Sequence, residues 1–314
     1  MGSYISKRLL QMVPVVLMVT IVSFAIIFLL PGDPALLLLG DQGSNPQVYA
    51  SIRKELGLDK PVPIQYLNWL SRTLHGDLGT STRDRQHIVN GLVSRLPVTL
   101  ELSVLAMLLS TLIALPAGIL GALKPNTIWD SAISVFALLG VAMPSFWLAI
   151  LLIYGLAVKL HAVPPSGYES FGAHPIENLR LMILPAVTLG WGLAGTLTRQ
   201  VQSSMLEVVH QDYIVTARAK GLKARTVIVR HALKNALIPI ITVSGLQVGR
   251  LLGGAVIVET IFALPGIGRW AVDSILFRDF PVVQAVTLVM AVGVLLTNLA
   301  ADIVYGLVDP RISY

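Results

Sequence analysis

A chain of 314 residues that is 54% hydrophobic and only 13% charged has too little polar surface for a water-soluble globule, whose charged fraction is roughly 25%. The composition describes an integral membrane protein. It holds no cysteine, which excludes disulfides and thiolate metal sites. Its net charge of +6 gathers at the ends of apolar runs rather than in one patch, which argues against nucleic-acid binding.

Lys7 and Arg8 precede the first apolar run, 9–30, which is long enough to cross ~30 Å of hydrocarbon at ~1.5 Å per residue. The positive flank places the N-terminus in the cytoplasm. Pro31 and Pro34 end the run on the outer side, and no small-residue cleavage site follows it, so it reads as a span rather than a leader. Residues 31–96 form the one long polar section, expected outside and partly helical. Within it, Ser51–Leu58 reads as an amphipathic helix closed by Gly57, and Ile64–Leu70 as a second short helix. The section carries seven Lys/Arg, but loops of ~60 residues escape the positive-inside rule.

The second span is expected at 97–123, with Glu101 near its outer end, and the third at 130–158. Pro144, in the middle of the third, should kink it or strand a carbonyl. His161 and His174 in the following outer loop lack the spacing of metal ligands. The fourth span is expected at 181–198, and a cytoplasmic segment at 199–238. Between Arg199 and Lys234 that segment holds seven Lys/Arg against Glu207 and Asp212. Apolar residues recur there at helical spacing and Gly221 interrupts them, which predicts a short helix, a Gly bend and a second helix. Charge alone fits an ordinary positive-inside loop as well as it fits a contact surface. The fifth span is expected at 239–262, where Gly245, Gly249 and Gly253 share a face that admits a close helix. Leu264–Arg269 reads as an outer turn, and the sixth span as 283–305. The whole, 1–314, reads as one all-α membrane domain with six spans and both ends cytoplasmic.

No phosphate-binding loop, His-Glu-x-x-His or nucleophile–base pair is present, so catalysis by this chain is not expected. The ionisable residues in the spans are Glu101, Arg250, Glu259 and Asp302, and only Arg250 is central. A secondary transporter or channel, the competing class, places such groups at the midplane. A charge at the position of Arg250 costs at least ~2.5–3.5 kcal/mol against lipid. Gln247 lies three residues earlier on the same face, so both are candidates for the translocation pathway. A substrate carboxylate, an acidic residue of a partner, or outward snorkelling of the side chain would each satisfy Arg250.

The run from Tyr213 through Thr216, Ala217 and Arg218 to Gly221, followed by His231–Pro239, resembles the coupling segment of binding-protein-dependent ABC importer permeases. More narrowly, it is similar to the dipeptide/oligopeptide/nickel subgroup. The Glu that opens this segment in the wider family is absent; Val215 stands there. Leu30-Pro31-Gly32-Asp33-Pro34, Gly76–Ser81, Gly266 with Gly268, and Asp309-Pro310-Arg311 add to the resemblance. It implies a six-helix ABC permease in a bacterial or archaeal inner membrane. It also implies a second homologous permease, two ATPase subunits that bind ATP and Mg, and an external binding protein. This chain would itself hold no cofactor and no metal. The residues it assigns to the ATPase contact are Asp212, Tyr213, Thr216, Ala217, Arg218, Lys220 and Gly221. The implied cargo is di- or oligopeptides, with nickel, glutathione or another small solute as alternatives.

Overall fold

A computed structural model describes residues 2–29, 46–55 and 58–308. The Leu30–Pro34 and Asp309–Arg311 motifs and Gly57 lie outside the described residues. The described chain is helical nearly throughout: α1 (Gly2–Leu29), α2 (Pro46–Glu55), α3 (Val62–Leu74) and α4 (Ile88–Leu123) come first. Then follow α5 (Ile128–Ala142), α6 (Ser145–Lys159), α7 (Pro175–Val209), α8 (Asp212–Ala219), α9 (Ala224–Ile261), α10 (Ile267–Leu276) and α11 (Phe280–Val308). Among the described residues, five helices are long and apolar enough to cross a membrane, and six spans result when α5 and α6 count as one.

The last turns of α6 (Ile153–Lys159) and a stretch near the start of α9 (Val227–Leu233) widen to π-helix. Such wide turns shift the register of the side chains that follow.

α7 is the axis of the molecule. It starts with Pro175, whose missing N–H falls where a helix has no partner for it. Its middle is rich in small residues because neighbours approach at backbone distance. A Cβ on Gly190 would sit 2.7 Å from the carbonyl oxygen of Ala106 in α4. One on Gly195 would sit 2.6 Å from that of Ala137 in α5. α9 packs along α7's third side, and α11 packs along α9. There Gly245 faces Ala301, and Gly249 faces Asn298 and Val294, whereas a Cβ on Gly253 would meet no neighbouring atom within 4 Å. The expected glycine face therefore seats a helix of this same chain.

Three apolar clusters stack along the bundle. One, at the α8 end, joins Val201, Met205, Ile214 and Ala217 to Val227 and Ala236. A central one joins Leu102 and Ala106 to Met182, Leu251 and Val258. The third, at the opposite end, joins Ile88 and Leu92 to Ile267, Val282 and Val286. Arg8 of α1 pairs with Asp302 of α11 at 3.3 Å, so the start of α1 and the end of α11 lie at one end of the bundle.

Several expected boundaries differ from the helices. α4 starts at Ile88 and takes Pro97 into its interior, because Ile88 and Leu92 are buried under α10 and α11. α7 continues to Val209, so the first part of the segment expected at 199–238 is the end of a long helix. α9 starts at Ala224 with Pro239 inside it. The third span is not one kinked helix. Met143 is extended (φ −79°, ψ 123°), as a residue before proline prefers, and α6 leaves α5 at 108°. The turn expected at Leu264–Arg269 instead starts an additional helix, α10.

Candidate functional site

The expected contact segment forms a helix–turn–helix at one end of the bundle. α8 buries only Ile214 and Ala217, against Val201, Met205 and Val227. Asp212, Tyr213, Thr216, Arg218, Lys220 and Gly221 are exposed, and so are the apolar Val215 and Leu222. Ala217 was expected against a partner; it is instead buried in the chain's own core. Its small size lets α8 lie close to α7 and α9.

The Ala217-to-Gly221 spacing has a backbone cause. The N–H of Leu222 donates to the Ala217 carbonyl (3.4 Å) and that of Gly221 to the Arg218 carbonyl (2.9 Å). This is a Schellman cap, which needs a left-handed residue just past the helix. Gly221 supplies it at φ +76°. A Cβ there would meet no atom within 4 Å, so the requirement is conformational rather than spatial. Asn235 of α9 donates to the Tyr213 hydroxyl (2.7 Å) and fixes α8 to the next helix.

The second feature is a cleft of about 300 Å³ beside the α5–α6 break. Met143 and Ser145 from the break, Thr188, Trp191 and Thr196 from α7, and Gln247 and Arg250 from α9 line it. The break makes the cleft, since a straight helix through 143–145 would run on past it. Gln247 is buried, and its side-chain oxygen accepts from an Arg250 guanidinium N–H at 3.3 Å. Both expected pathway residues thus lie on one cleft wall. The sequence reading missed Thr188 and Trp191. Their only sequence signal is a polar or amphipathic side chain inside an otherwise apolar span.

At the opposite end, three further groups hold the chain crossings together. The buried carboxylate of Glu259 accepts from the Thr99 hydroxyl (2.6 Å) and the Arg269 N–H (2.9 Å). The same Thr99 oxygen accepts from the Ile267 N–H (3.0 Å). Asp279, also buried, accepts from Ser81 Oγ (2.5 Å) and from the Thr82 N–H (3.0 Å). This ties the Gly76–Ser81 stretch to the start of α11. The Tyr168 hydroxyl donates to Glu101 (3.0 Å). Burial, and after it the hydrogen bond and charge of Glu101, push that phenol up to about 12, so Tyr168 keeps its proton in water of ordinary pH. Among the described residues, no three His, Asp or Glu are grouped as a metal site would require.

The family model described as the binding-protein-dependent transport system inner membrane component matches residues 114–314, and the model of its N-terminal region matches 1–103. The chain belongs to this family. This permease is 41% identical to the dipeptide transport system permease protein DppB of Escherichia coli K12, over 100% of this chain and 99% of that one. It is 43% identical to a putative peptide transport system permease protein of Brucella abortus, over the full length of both. Among solved structures it is similar to a chain of the MetNI methionine ABC transporter, with TM-score 0.57 and 20% identity over 69% of the permease and 96% of that chain. It is also similar to a chain of an amino acid ABC transporter, with TM-score 0.54 and 16% identity over 69% and 94%. These structures share the fold of the permease. Like its family, it is a membrane-spanning component of an ABC importer and not the ATP-hydrolysing one.

Proposed function

We propose that this permease carries peptides inward across the bacterial inner membrane, within an importer powered by separate ATPase subunits. A second homologous permease and an external binding protein complete it, and two ATPases bind the ATP and Mg. Full-length relatives at 41–43% identity, named as dipeptide and putative peptide permeases, support the cargo.

The observation that carries the mechanism is the form of α8. A short helix is held to the core by Ile214 and Ala217, capped at Gly221, and exposes everything else. A cleft on an ATPase would grip Asp212, Tyr213, Thr216, Arg218, Lys220 and Gly221, with Val215 and Leu222 adding apolar area. Because Ile214 and Ala217 bury into the same cluster as α7 and α9, force on α8 reaches both helices that wall the cleft. In this reading the α8 end, with the start of α1 and the end of α11, is cytoplasmic, and α3, α10 and residues 76–87 face outside.

Gly221→Val tests the coupling. A branched residue held left-handed costs about 1–3 kcal/mol, and the space around Gly221 is open. The subunit should therefore still assemble with its partners while uptake and transport-linked ATP hydrolysis both fall. Parental uptake by an assembled Gly221→Val complex contradicts a coupling role for this turn.

A further inference from the structure

We infer that Arg250, steadied by Gln247, takes the C-terminal carboxylate of a short peptide in the cleft at the α5–α6 break; the assignment rests on the peptide-importer reading above. Among the described residues, Arg250 is the sole ionisable one lining that cleft. Its guanidinium has no carboxylate within ion-pair distance among the described residues, and Gln247 is its only hydrogen-bond partner there. One contact through one nitrogen leaves most of its five N–H donors available, and a guanidinium matches a carboxylate by two parallel hydrogen bonds.

A second observation marks the cleft as a ligand site. Thr188 is 2% exposed, lines the cleft, and has a hydroxyl with no hydrogen-bond partner. The indole N–H of Trp191, on the same wall, is likewise buried and unpartnered. Buried polar atoms are normally satisfied. Both residues line the cleft that Arg250 lines, and side-chain rotation that turned the hydroxyl and the N–H to its surface would satisfy them on a peptide, whose backbone offers carbonyl and amide groups next to its terminal carboxylate. Apolar Leu148, Leu189 and Leu251, which also line the cleft, would meet its side chain.

The volume, about 300 Å³, lies at the small end of the ~300–1,000 Å³ usual for small-molecule sites. It holds one end of a peptide rather than a long chain. The charge pattern also separates cargoes. A lone positive charge with no carboxylate beside it attracts a terminal carboxylate and repels a divalent metal cation. It does not read a free amino terminus, so selectivity for the N-terminal end falls outside this cleft.

The test uses the purified importer complex without its binding protein, and measures competition against a radiolabelled dipeptide. The competitors are alanyl-phenylalanine, its C-terminal amide and its N-acetyl form. The parent should prefer the free acid to the amide by at least about tenfold, the worth of a hydrogen bond to a charged group, and should accept the N-acetyl form. Arg250→Gln should abolish the preference, and Arg250→Lys, which keeps charge but not the fork, should retain part of it. Equal binding of acid and amide by the parent, or an unchanged preference in Arg250→Gln, overturns the assignment. So does failure of both variants to assemble, which would make Arg250 an ion-pair partner of the second permease. A parent complex that imports dipeptides in vesicles yet binds none directly overturns this assignment and leaves the importer reading standing. A parent complex that imports no peptide at all contradicts the importer reading itself.

Discussion

Glu259 shows how a single residue organises the end of the bundle opposite α8. It is fully buried near the end of α9, where an unpaired carboxylate would be costly. Its partners are the Thr99 hydroxyl and a backbone N–H in the first turn of α10, and Thr99 satisfies a second N–H of that turn. A helix N-terminus has orphan donors and a partial positive charge. Glu259 and Thr99 therefore cap α10 from two other helices, and each side satisfies what the other leaves bare. Gly266 and Gly268 keep the path clear. A Cβ on Gly266 would drive into the Glu259 carboxylate, and one on Gly268 would lie 2.7 Å from the Val256 Cα. Gly268→Ala should destabilise the detergent-solubilised protein by about 1–3 kcal/mol, the cost of overpacking a filled site. Gly253→Ala meets open space in a helix interior and should be neutral or stabilising by up to ~1 kcal/mol. Thermal unfolding of the two variants beside the parent checks the opposite signs; equal transitions would contradict the packing account.

At the scale of elements, two interruptions matter more than the long helices. One is the Gly221 turn, which sets where α8 stops. The other is the Met143–Pro144 break, which turns α6 by 108° and opens the cleft. Sidedness belongs at this scale too. Lys223, exposed between α8 and α9, should be cytoplasmic. An impermeant thiol reagent should leave Lys223→Cys, in this cysteine-free chain, unlabelled in intact cells and label it in inside-out vesicles. Labelling from outside would invert the orientation.

The long spanning helices were legible from apolar runs, and the α8–Gly221–α9 pattern from periodicity plus one glycine, whereas α10 was read as a turn. The start of α4 was not, because Pro97 reads as a first-turn residue. The two turns before it are stabilised by Ile88 and Leu92 packing under distant α10 and α11. The break at Pro144 was legible, but not its angle, since that depends on how α6 finds room beside α7 and α9. The polar half of the cleft was hidden for a related reason. Thr188 and Trp191 become notable only when the fold leaves them without partners, whereas Arg250 stands out in any apolar run.

For the whole molecule, the three stacked clusters make one mechanical body. The α8 end and the opposite end are joined through α7 and α9, which carry the cleft between them. The outward faces of α1 and α4 keep large apolar side chains exposed, Leu10 and Met18 on one and Val93 and Leu112 on the other. They suit lipid or a second permease rather than water. The competing class, a secondary transporter, would work with this chain alone and an ion gradient. Of the span carboxylates named above, Asp302 is paired with Arg8, Glu259 is enclosed by its partners and Glu101 accepts from Tyr168, which leaves little among the described spans to couple such a gradient.

Dipeptide uptake into proteoliposomes that contain this permease with the second permease and two ATPases proposed for it is the most direct test of peptide import. Uptake should require ATP inside the assembly's nucleotide compartment and the binding protein on the opposite side, and it should persist when ion gradients are collapsed. Uptake by this chain without the ATPases, driven by a proton or sodium gradient, would contradict the account.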